Sequence, residues 1–166
     1  MNRVKTRNGP NFTAIDLGPL AQLNQYKFKH PALSQEADGK VFLNRLLGLT
    51  SSEISINKLP PRTSMPFYHK HRLNEEIYIF FKGEGEFQID DQVLPVVEGT
   101  VVRVAQDGER CWRNTSAVED LYYIVIQARA NTYESQTVED GLGVQKSVSW
   151  ETKKNLPNSD SVNERG

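Results

Sequence analysis

Short strand-like segments fill the middle of this sequence and constrain its fold more than any other feature. Between residues 41 and 127, glycine, proline and acidic turn residues separate apolar or alternating segments of four to seven residues. No segment keeps apolar residues at helical spacing, and the best helix candidate is residues 19–26. About eight short strands with turns between them are typical of a β-sandwich or barrel. The sequence therefore predicts an all-β domain with little helix.

The predicted strands follow one another closely. Residues 53–59 alternate strictly, and residues 77–81 form a continuous apolar run, which is typical of a strand covered on both faces. Residues 82–86, with the sequence KGEGE, predict a hairpin turn. The full set of predicted strands is 41–47, 53–59, 77–81, 86–89, 93–97, 100–104, 111–114 and 121–127, with an extended stretch at 65–71.

The same pattern divides the chain into four parts. Residues 1–40 mix polar residues with isolated hydrophobic ones and are predicted to form an N-terminal extension that packs on the barrel. Residues 41–130 are predicted to form the barrel itself, and residues 131–150 a C-terminal strand or loop segment. Residues 151–166 contain few large hydrophobic side chains and are predicted to be a loose polar tail.

Composition excludes several classes of function. The 166 residues suit one domain, and 20 basic against 21 acidic side chains leave a net charge of -1. Such a balance does not favour a nucleic-acid partner held by phosphate neutralisation. A single cysteine excludes an internal disulfide framework, and no apolar run is long enough to span a membrane. The basic N-terminus has no apolar segment behind it, so we expect a cytoplasmic protein without a secretory signal.

Two closely spaced histidines carry the strongest chemical signal. His69 and His71 are separated by one residue and are followed by Glu75 and Glu76. Residues i and i+2 of a strand point to the same face, so the two imidazoles can converge on one point. A carboxylate across a turn can supply a third ligand, and this donor set suits a divalent ion of Fe, Zn, Mn or Ni. An H-x-H pair alone often faces solvent, so it is the nearby glutamates that make this pattern indicate a metal site.

These residues resemble the first motif of the cupin superfamily, in particular its small single-domain, RmlC-like members. That motif reads Gly, five residues, His-x-His, three or four residues, Glu, six residues, Gly. Here His69, His71, Glu76 and Gly83 match it without gaps, whereas Thr63 replaces the first glycine. The resemblance implies a double-stranded β-helix, or jelly-roll barrel, and a metal centre within it. It also agrees with a homodimer, which we expect because an antiparallel barrel has strand edges to protect.

The second cupin motif departs from the family pattern at its histidine. In the gapless register Gly99 and Asn114 occupy the motif's first and last positions, and Arg110 replaces the histidine that normally completes the ligand set. A register shifted by one residue places Cys111 there instead. Arginine keeps its proton and offers no lone pair, so it cannot bind a metal. The gapless register, which we prefer, instead makes Arg110 a candidate for holding the carboxylate or phosphate of an anionic ligand.

Alternation along the strands extends the candidate site. Tyr78 and Phe80 share a strand face with Glu76, and Phe67 is in phase with the two histidines. They are predicted to line a ligand-binding cavity, although each position also suits ordinary core. The predicted metal ligands are His69, His71 and Glu76, with Glu75 and Cys111 as alternates, and the predicted ligand-binding residues are Arg110, Tyr78, Phe80 and Phe67.

Three kinds of function remain open at this point. The resemblance implies metal-dependent enzymes, such as dioxygenases, isomerases and lyases, with His69, His71 and Glu76 as the ligands of an ion that keeps open coordination positions. A barrel that binds a small, anionic molecule without catalysis fits Arg110 equally well. A scaffold that uses only the fold is the third alternative, because a fold does not determine a function. The sequence assigns no catalytic residue and predicts neither a nucleic-acid nor a membrane partner.

Overall fold

The computed structural model describes residues 4–29, 34, 36–135, 137–154 and 156. Strands dominate it, as the sequence predicts. In chain order they are β1 (Lys5–Gly9), β2 (Phe12–Asp16), β3 (Lys27–Phe28), β4 (Ala37–Asp38), β5 (Lys40–Phe42), β6 (Ser52–Leu59), β7 (Asn74–Lys82), β8 (Glu84–Ile89), β9 (Gln92–Val97), β10 (Val101–Val104), β11 (Arg110–Asn114) and β12 (Leu121–Arg129). The helical residues are a 3₁₀ helix at Leu20–Gln25, within the predicted helix candidate, and a single turn, α1, at Asn44–Leu47.

Eight strands, β5 to β12, form two antiparallel sheets. The larger sheet has the order β10-β7-β12-β6-β5, and the smaller one has the order β11-β8-β9. The apolar core contains side chains from both sheets, so the sheets pack against each other. This arrangement confirms the prediction of an all-β jelly roll with little helix. None of the helices among the described residues is both long and apolar enough to cross a membrane.

Aromatic side chains fill the core between the sheets. Phe87 and Trp112, from the smaller sheet, stack with their ring centroids 5.8 Å apart and nearly parallel planes. Tyr78 packs edge-on against both of them, at 4.8 and 5.1 Å. Phe80 and Tyr123 continue the cluster from the larger sheet. This packing fixes the inward face of β7 and β11, the two strands that carry the candidate site.

The predicted hairpin turn at residues 82–86 is wrong. β7 belongs to the larger sheet and β8 to the smaller one, so Gly83 carries the chain from one sheet to the other. Gly83 has a φ of 88°, and a Cβ there would lie 2.5 Å from the carbonyl oxygen of Asp120. The two glycines of this segment suggest a hairpin, but Gly85 lies within β8, and Gly83 allows a close crossing of two backbone segments.

The predicted strand at residues 41–47 is correct only in its first part. β5 ends at Phe42, and Asn44 begins the helical turn α1. The Asn44 side chain donates hydrogen bonds to the carbonyl oxygens of Leu49 and Ser52, and Glu53 accepts one from its backbone N–H. These local hydrogen bonds stabilise a turn that apolar patterning does not reveal.

A second apolar cluster joins the N-terminal segment to the outer face of β5 and β6. Leu23 of the 3₁₀ helix is buried there with Val41, and Ile54 and Ile56 pack against them. Residues 131–150 form no strand where the structure describes them. Of residues 151–166, only 151–154 and 156 are described, and the division of the chain at residues 40, 130 and 150 stays a prediction.

Candidate metal centre and cavity

Two strands and one extended segment bring the site together. β7 directs Glu76 and Tyr78 toward the barrel interior, and β11 directs Arg110 there. His69 lies in an extended segment that bridges to β11. Its backbone N–H donates to the carbonyl oxygen of Arg110 at 3.2 Å, and the Arg110 N–H donates back to His69 at 3.1 Å. This reciprocal pair places the histidine segment beside the strand that carries Arg110.

The two histidines and Glu76 form a compact group of metal-type donors. His71 Nε2 lies 3.0 Å from Glu76 Oε1, and His69 Nε2 lies 3.6 Å from Glu76 Oε2. The three donor atoms lie within 4.8 Å of one another. Both imidazoles are half-buried, whereas Glu76 is only 2% exposed. The structure therefore brings together the three residues that the first motif predicts.

Glu76 is held from several sides. Arg110 donates to Oε2 from Nε, at 3.0 Å, and from Nη2, and the Tyr78 hydroxyl donates to the same oxygen. Burial by itself raises the pKa of Glu76, but contacts with His69, His71, Tyr78 and Arg110 outweigh that effect and hold the pKa well below its usual range. The carboxylate is consequently ionised, and Oε1 is the oxygen that faces His71.

Arg110 faces the barrel interior, as the gapless register requires. Its side chain is fully buried, with Nε and Nη2 on Glu76 and Nη1 on the carbonyl oxygen of Gly108 at 2.9 Å. The guanidinium is thus directed at a carboxylate of the protein and is not part of the cavity wall. The sequence interpretation needs Arg110 on the wall of the cavity, and the structure places its guanidinium on Glu76 instead.

The alternate metal ligands lie apart from the donor group. Glu75 points to the other face of β7, where it pairs with Arg103. Cys111 points away from the site, with its sulfur 3.3 Å from the carbonyl oxygen of Met65. Burial raises the pKa of the Cys111 thiol, and the backbone N–H of Trp112 opposes this effect. Strand alternation separates both residues from Glu76 and Arg110, so neither joins the group.

A cavity of about 390 Å³ opens beside the histidines. That volume is in the range of pockets that hold small organic molecules, about 300–1,000 Å³. Phe67 and Tyr78 lie on its wall, as the sequence predicts. Phe80 does not, because it is fully buried among the aromatic core residues. Along β7 the cavity wall therefore includes Tyr78 but not Phe80, although alternation places both on the same strand face.

Sequence reasoning missed much of the cavity wall, and Trp112 and Lys40 are the two most informative of the missed residues. Trp112 lies 5.9 Å from the His69 ring and contributes to the wall. Its two-residue spacing from Arg110 was the available signal, because both positions share the inward face of β11. Lys40 also lies on the wall, although the sequence division placed it in the N-terminal extension. A lysine at the start of a short strand gives no sign that it faces a cavity.

The donor group fits a divalent metal ion. His69 Nε2 and His71 Nε2 both face the Glu76 carboxylate, at 3.6 and 3.0 Å, so each imidazole presents one nitrogen to the same point. A neutral imidazole nitrogen in such a position offers its lone pair to a metal ion. Two imidazole nitrogens and one carboxylate oxygen form a set that transition-metal ions accept. The residues present are therefore compatible with the centre that the motif implies.

Comparisons with known proteins agree with the fold and the motif. Residues 56–127 match the model of the cupin domain. A cupin protein from Bacteroides fragilis is 33% identical, with a TM-score of 0.60 over 70% of this chain and 97% of that one. A protein from Photorhabdus luminescens is 22% identical and shares the fold, with a TM-score of 0.50 over 56% of this chain and 75% of that one. A comparison with curated proteins gave no significant match.

The antiparallel jelly roll, with its H-x-H and glutamate group directed inward, places this chain among the jelly-roll β-barrel proteins. This chain belongs to the cupin superfamily.

Proposed function

We propose that this cupin binds a divalent metal ion through His69, His71 and Glu76, and a small organic molecule in the cavity beside that ion. The observation that carries the proposal is the convergence of three donor atoms within 4.8 Å at the wall of a 390 Å³ cavity. A bound ion would act as a Lewis acid that polarises an oxygen of the ligand. The three residues leave coordination positions for such a ligand.

Arg110 and Tyr78 are positioning residues in this proposal. Both donate to Glu76 Oε2, and this leaves Oε1 directed toward the histidines. Burial and the charge of Glu76 raise the pKa of Tyr78 far above its usual value, so the phenol keeps its proton and remains a donor. The two contacts fix the orientation of the carboxylate before any ion binds, which lowers the cost of forming the centre.

Elemental analysis of untagged protein, purified without chelators, tests the metal centre. We expect about one divalent ion per chain in the natural protein. A Glu76→Gln variant removes the charged ligand and should lose the ion, whereas Glu75→Gln, altered one residue away on the opposite strand face, should keep it. Natural protein without metal, and without uptake of added Zn²⁺, Mn²⁺, Fe²⁺ or Ni²⁺, would contradict the proposal.

A second candidate function is a metal-free binding barrel. It is favoured by the Arg110–Glu76 ion pair, because the guanidinium already compensates the carboxylate charge in the place where a fourth ligand would lie. In that case the histidines would contact the ligand directly through hydrogen bonds. The same elemental analysis separates the two functions, since this candidate predicts ligand binding by protein that takes up no metal.

A further inference from the structure

The ammonium group of Lys40 occupies an unusual position at the cavity wall. The backbone register pairs Lys40 with Asn57, a buried residue of β6, so both side chains lie on the inner face of the sheet. Lys40 Nζ lies 4.6 Å from the ring centroid of Phe42 and 5.5 Å from that of Phe28. All three side chains line the cavity. Two aromatic rings therefore hold this cation at the cavity.

Lys40 has no acidic partner among the residues that the structure describes. Lys58, the other lysine of the cavity lining, pairs with Asp120 at 3.0 Å and donates to the carbonyl oxygen of Ala21. Arg110 is likewise neutralised, by Glu76. Burial lowers the pKa of Lys40, and the charges of Glu76 and Glu53 act in the opposite direction. A desolvated ammonium without a counter-ion is a binding group for an anion that comes from outside the chain.

The remainder of the wall indicates what kind of anion fits. Met65, Phe67, Trp112 and Val125 give the cavity a largely apolar and aromatic lining. Such a lining favours a ligand with a flat or branched apolar body. A single unpaired ammonium matches one negative charge. A phosphate dianion usually recruits several backbone donors or an arginine fork as well, whereas the unpaired cation among the described residues of the cavity wall is one lysine.

We propose that Lys40 binds the carboxylate of a small organic monoanion whose apolar part lies against Met65, Phe67 and Trp112. The proposal rests on the proposed function in that the cavity takes a small molecule, but it does not depend on the metal centre. It assigns to Lys40 the anion-binding role that sequence reasoning gave to Arg110. Arg110 is committed to Glu76, so Lys40 is the cation that the described part of the cavity wall offers to an anionic ligand.

Phenylacetate and phenylacetamide test this preference, because they differ mainly in charge. Binding is measured on chelator-treated full-length protein, so that no metal ion offers a second site for the carboxylate. The chain has two tryptophans, Trp112 on the cavity wall and Trp150 on the surface, whose indole N–H signals provide a site reporter and an internal reference in nuclear magnetic resonance titrations. We expect phenylacetate to shift the Trp112 signal and to bind at least tenfold more tightly than phenylacetamide.

Three variants make the test specific to Lys40. Lys40→Met should bring the two dissociation constants together, while Lys40→Arg should keep most of the preference for the carboxylate. Lys82→Met is the matched control, because Lys82 also lies over an aromatic ring, 5.6 Å from the centroid of Tyr122, but outside the cavity. Lys82→Met should leave the ratio of the two dissociation constants as it is in the natural protein. Thermal unfolding of each variant verifies that it is folded. Should Lys40→Met not fold, the test is whether Lys40→Arg keeps the preference for phenylacetate over phenylacetamide.

The outcomes separate this proposal from the proposed function. If both probes bind equally well to the natural protein, or if Lys40→Met keeps the full preference for phenylacetate, Lys40 does not bind the anion and only this proposal fails. If neither probe shifts the Trp112 signal, the cavity does not take small aromatic molecules, and the proposal is overturned together with that part of the proposed function.

Discussion

Glu76 and Arg110 form a buried ion pair inside the barrel, with Arg110 Nε 3.0 Å from Glu76 Oε2 and Nη2 in contact with the same oxygen. The guanidinium is fully buried, and the carboxylate is 2% exposed. Two charges that are buried away from water are stable only when they are paired with each other. This relationship links the stability of the fold to the candidate metal centre, because Glu76 belongs to both.

Removal of the guanidinium should destabilise the fold strongly. Arg110→Met keeps the apolar volume but leaves Glu76 without its buried counter-ion, and breaking such a pair costs about 3–5 kcal/mol. Arg103→Met is the matched control, because Arg103 pairs with the neighbouring Glu75 at the surface, where an ion pair contributes about 0.2–1 kcal/mol. Chemical denaturation measures both values. Equal effects of the two substitutions would contradict the role assigned to the buried pair.

The metal proposal adds a second expectation for Arg110→Met. A divalent ion can replace the missing positive charge next to Glu76, and a ligand that binds only the folded state raises its stability. Saturating Zn²⁺ should therefore raise the melting temperature of Arg110→Met more than that of the natural protein. A melting temperature of Arg110→Met that does not respond to divalent ions would speak against a metal site at Glu76.

The two histidines should be required for metal uptake and much less for folding. His69→Ala and His71→Ala each remove one neutral imidazole donor from a half-buried position, so the bound ion should be lost while the circular dichroism spectrum remains that of a β-rich protein. Metal content per chain and the thermal unfolding curve are the two measurements. Full metal content in His69→Ala would mean that the site lies elsewhere in the chain.

The motif and strand alternation correctly predicted which donor side chains come together. The spacing of His69, His71 and Glu76 identified the donor group: the two histidines share one face of an extended segment, and the motif adds the glutamate from β7. Alternation also predicted that Arg110 faces inward and that Cys111 does not, once the gapless register was chosen. These are local properties, which a sequence pattern with a period of two encodes directly.

Long-range pairing explains what the sequence did not reveal. Glu76 and Arg110 are 34 residues apart, and nothing in either segment shows that the guanidinium is taken by the carboxylate. Lys40 reaches the cavity only because β5 pairs with β6 at the edge of the larger sheet. Gly83 is typical of a hairpin turn in the sequence, and only the pairing of β7 and β8 with different sheets shows that it connects the two sheets. Each error concerns which segments meet, and that information is absent from local patterns.

Cys111 should react slowly with alkylating reagents in the folded protein. Cys111 is half-buried, with its sulfur 3.3 Å from the carbonyl oxygen of Met65, and burial raises the pKa of the thiol, so the thiolate fraction near neutral pH is lower than in a free cysteine. The rate should rise toward alkaline pH and should not change when divalent metal is added. Timed iodoacetamide labelling of folded and denatured protein provides the measurement. Protection by metal would favour the shifted register, in which Cys111 is a ligand.

The protein is expected to be a homodimer. Val93 and Val97 of β9 and Val101 of β10 are more than half exposed, and both strands lie at the edges of their sheets. Exposed edges with apolar side chains favour pairing with another copy. Light scattering should therefore give about twice the chain mass of 18.9 kDa at micromolar concentration, and Val97→Lys should shift the equilibrium toward the monomer. A monomer in the natural protein would contradict this prediction.

Two glycines with the same backbone angle should respond differently to substitution. Gly83 and Gly99 both have a φ of 88°, which costs an alanine about 1–2 kcal/mol. A Cβ at Gly99 would meet no atom within 4 Å, whereas at Gly83 it would lie 2.5 Å from the carbonyl oxygen of Asp120. Because that oxygen belongs to the backbone, it can retreat only if the strands move apart. Gly83→Ala should thus destabilise the protein by clearly more than Gly99→Ala in chemical denaturation, and equal losses would show that the crossing at Gly83 is not tight.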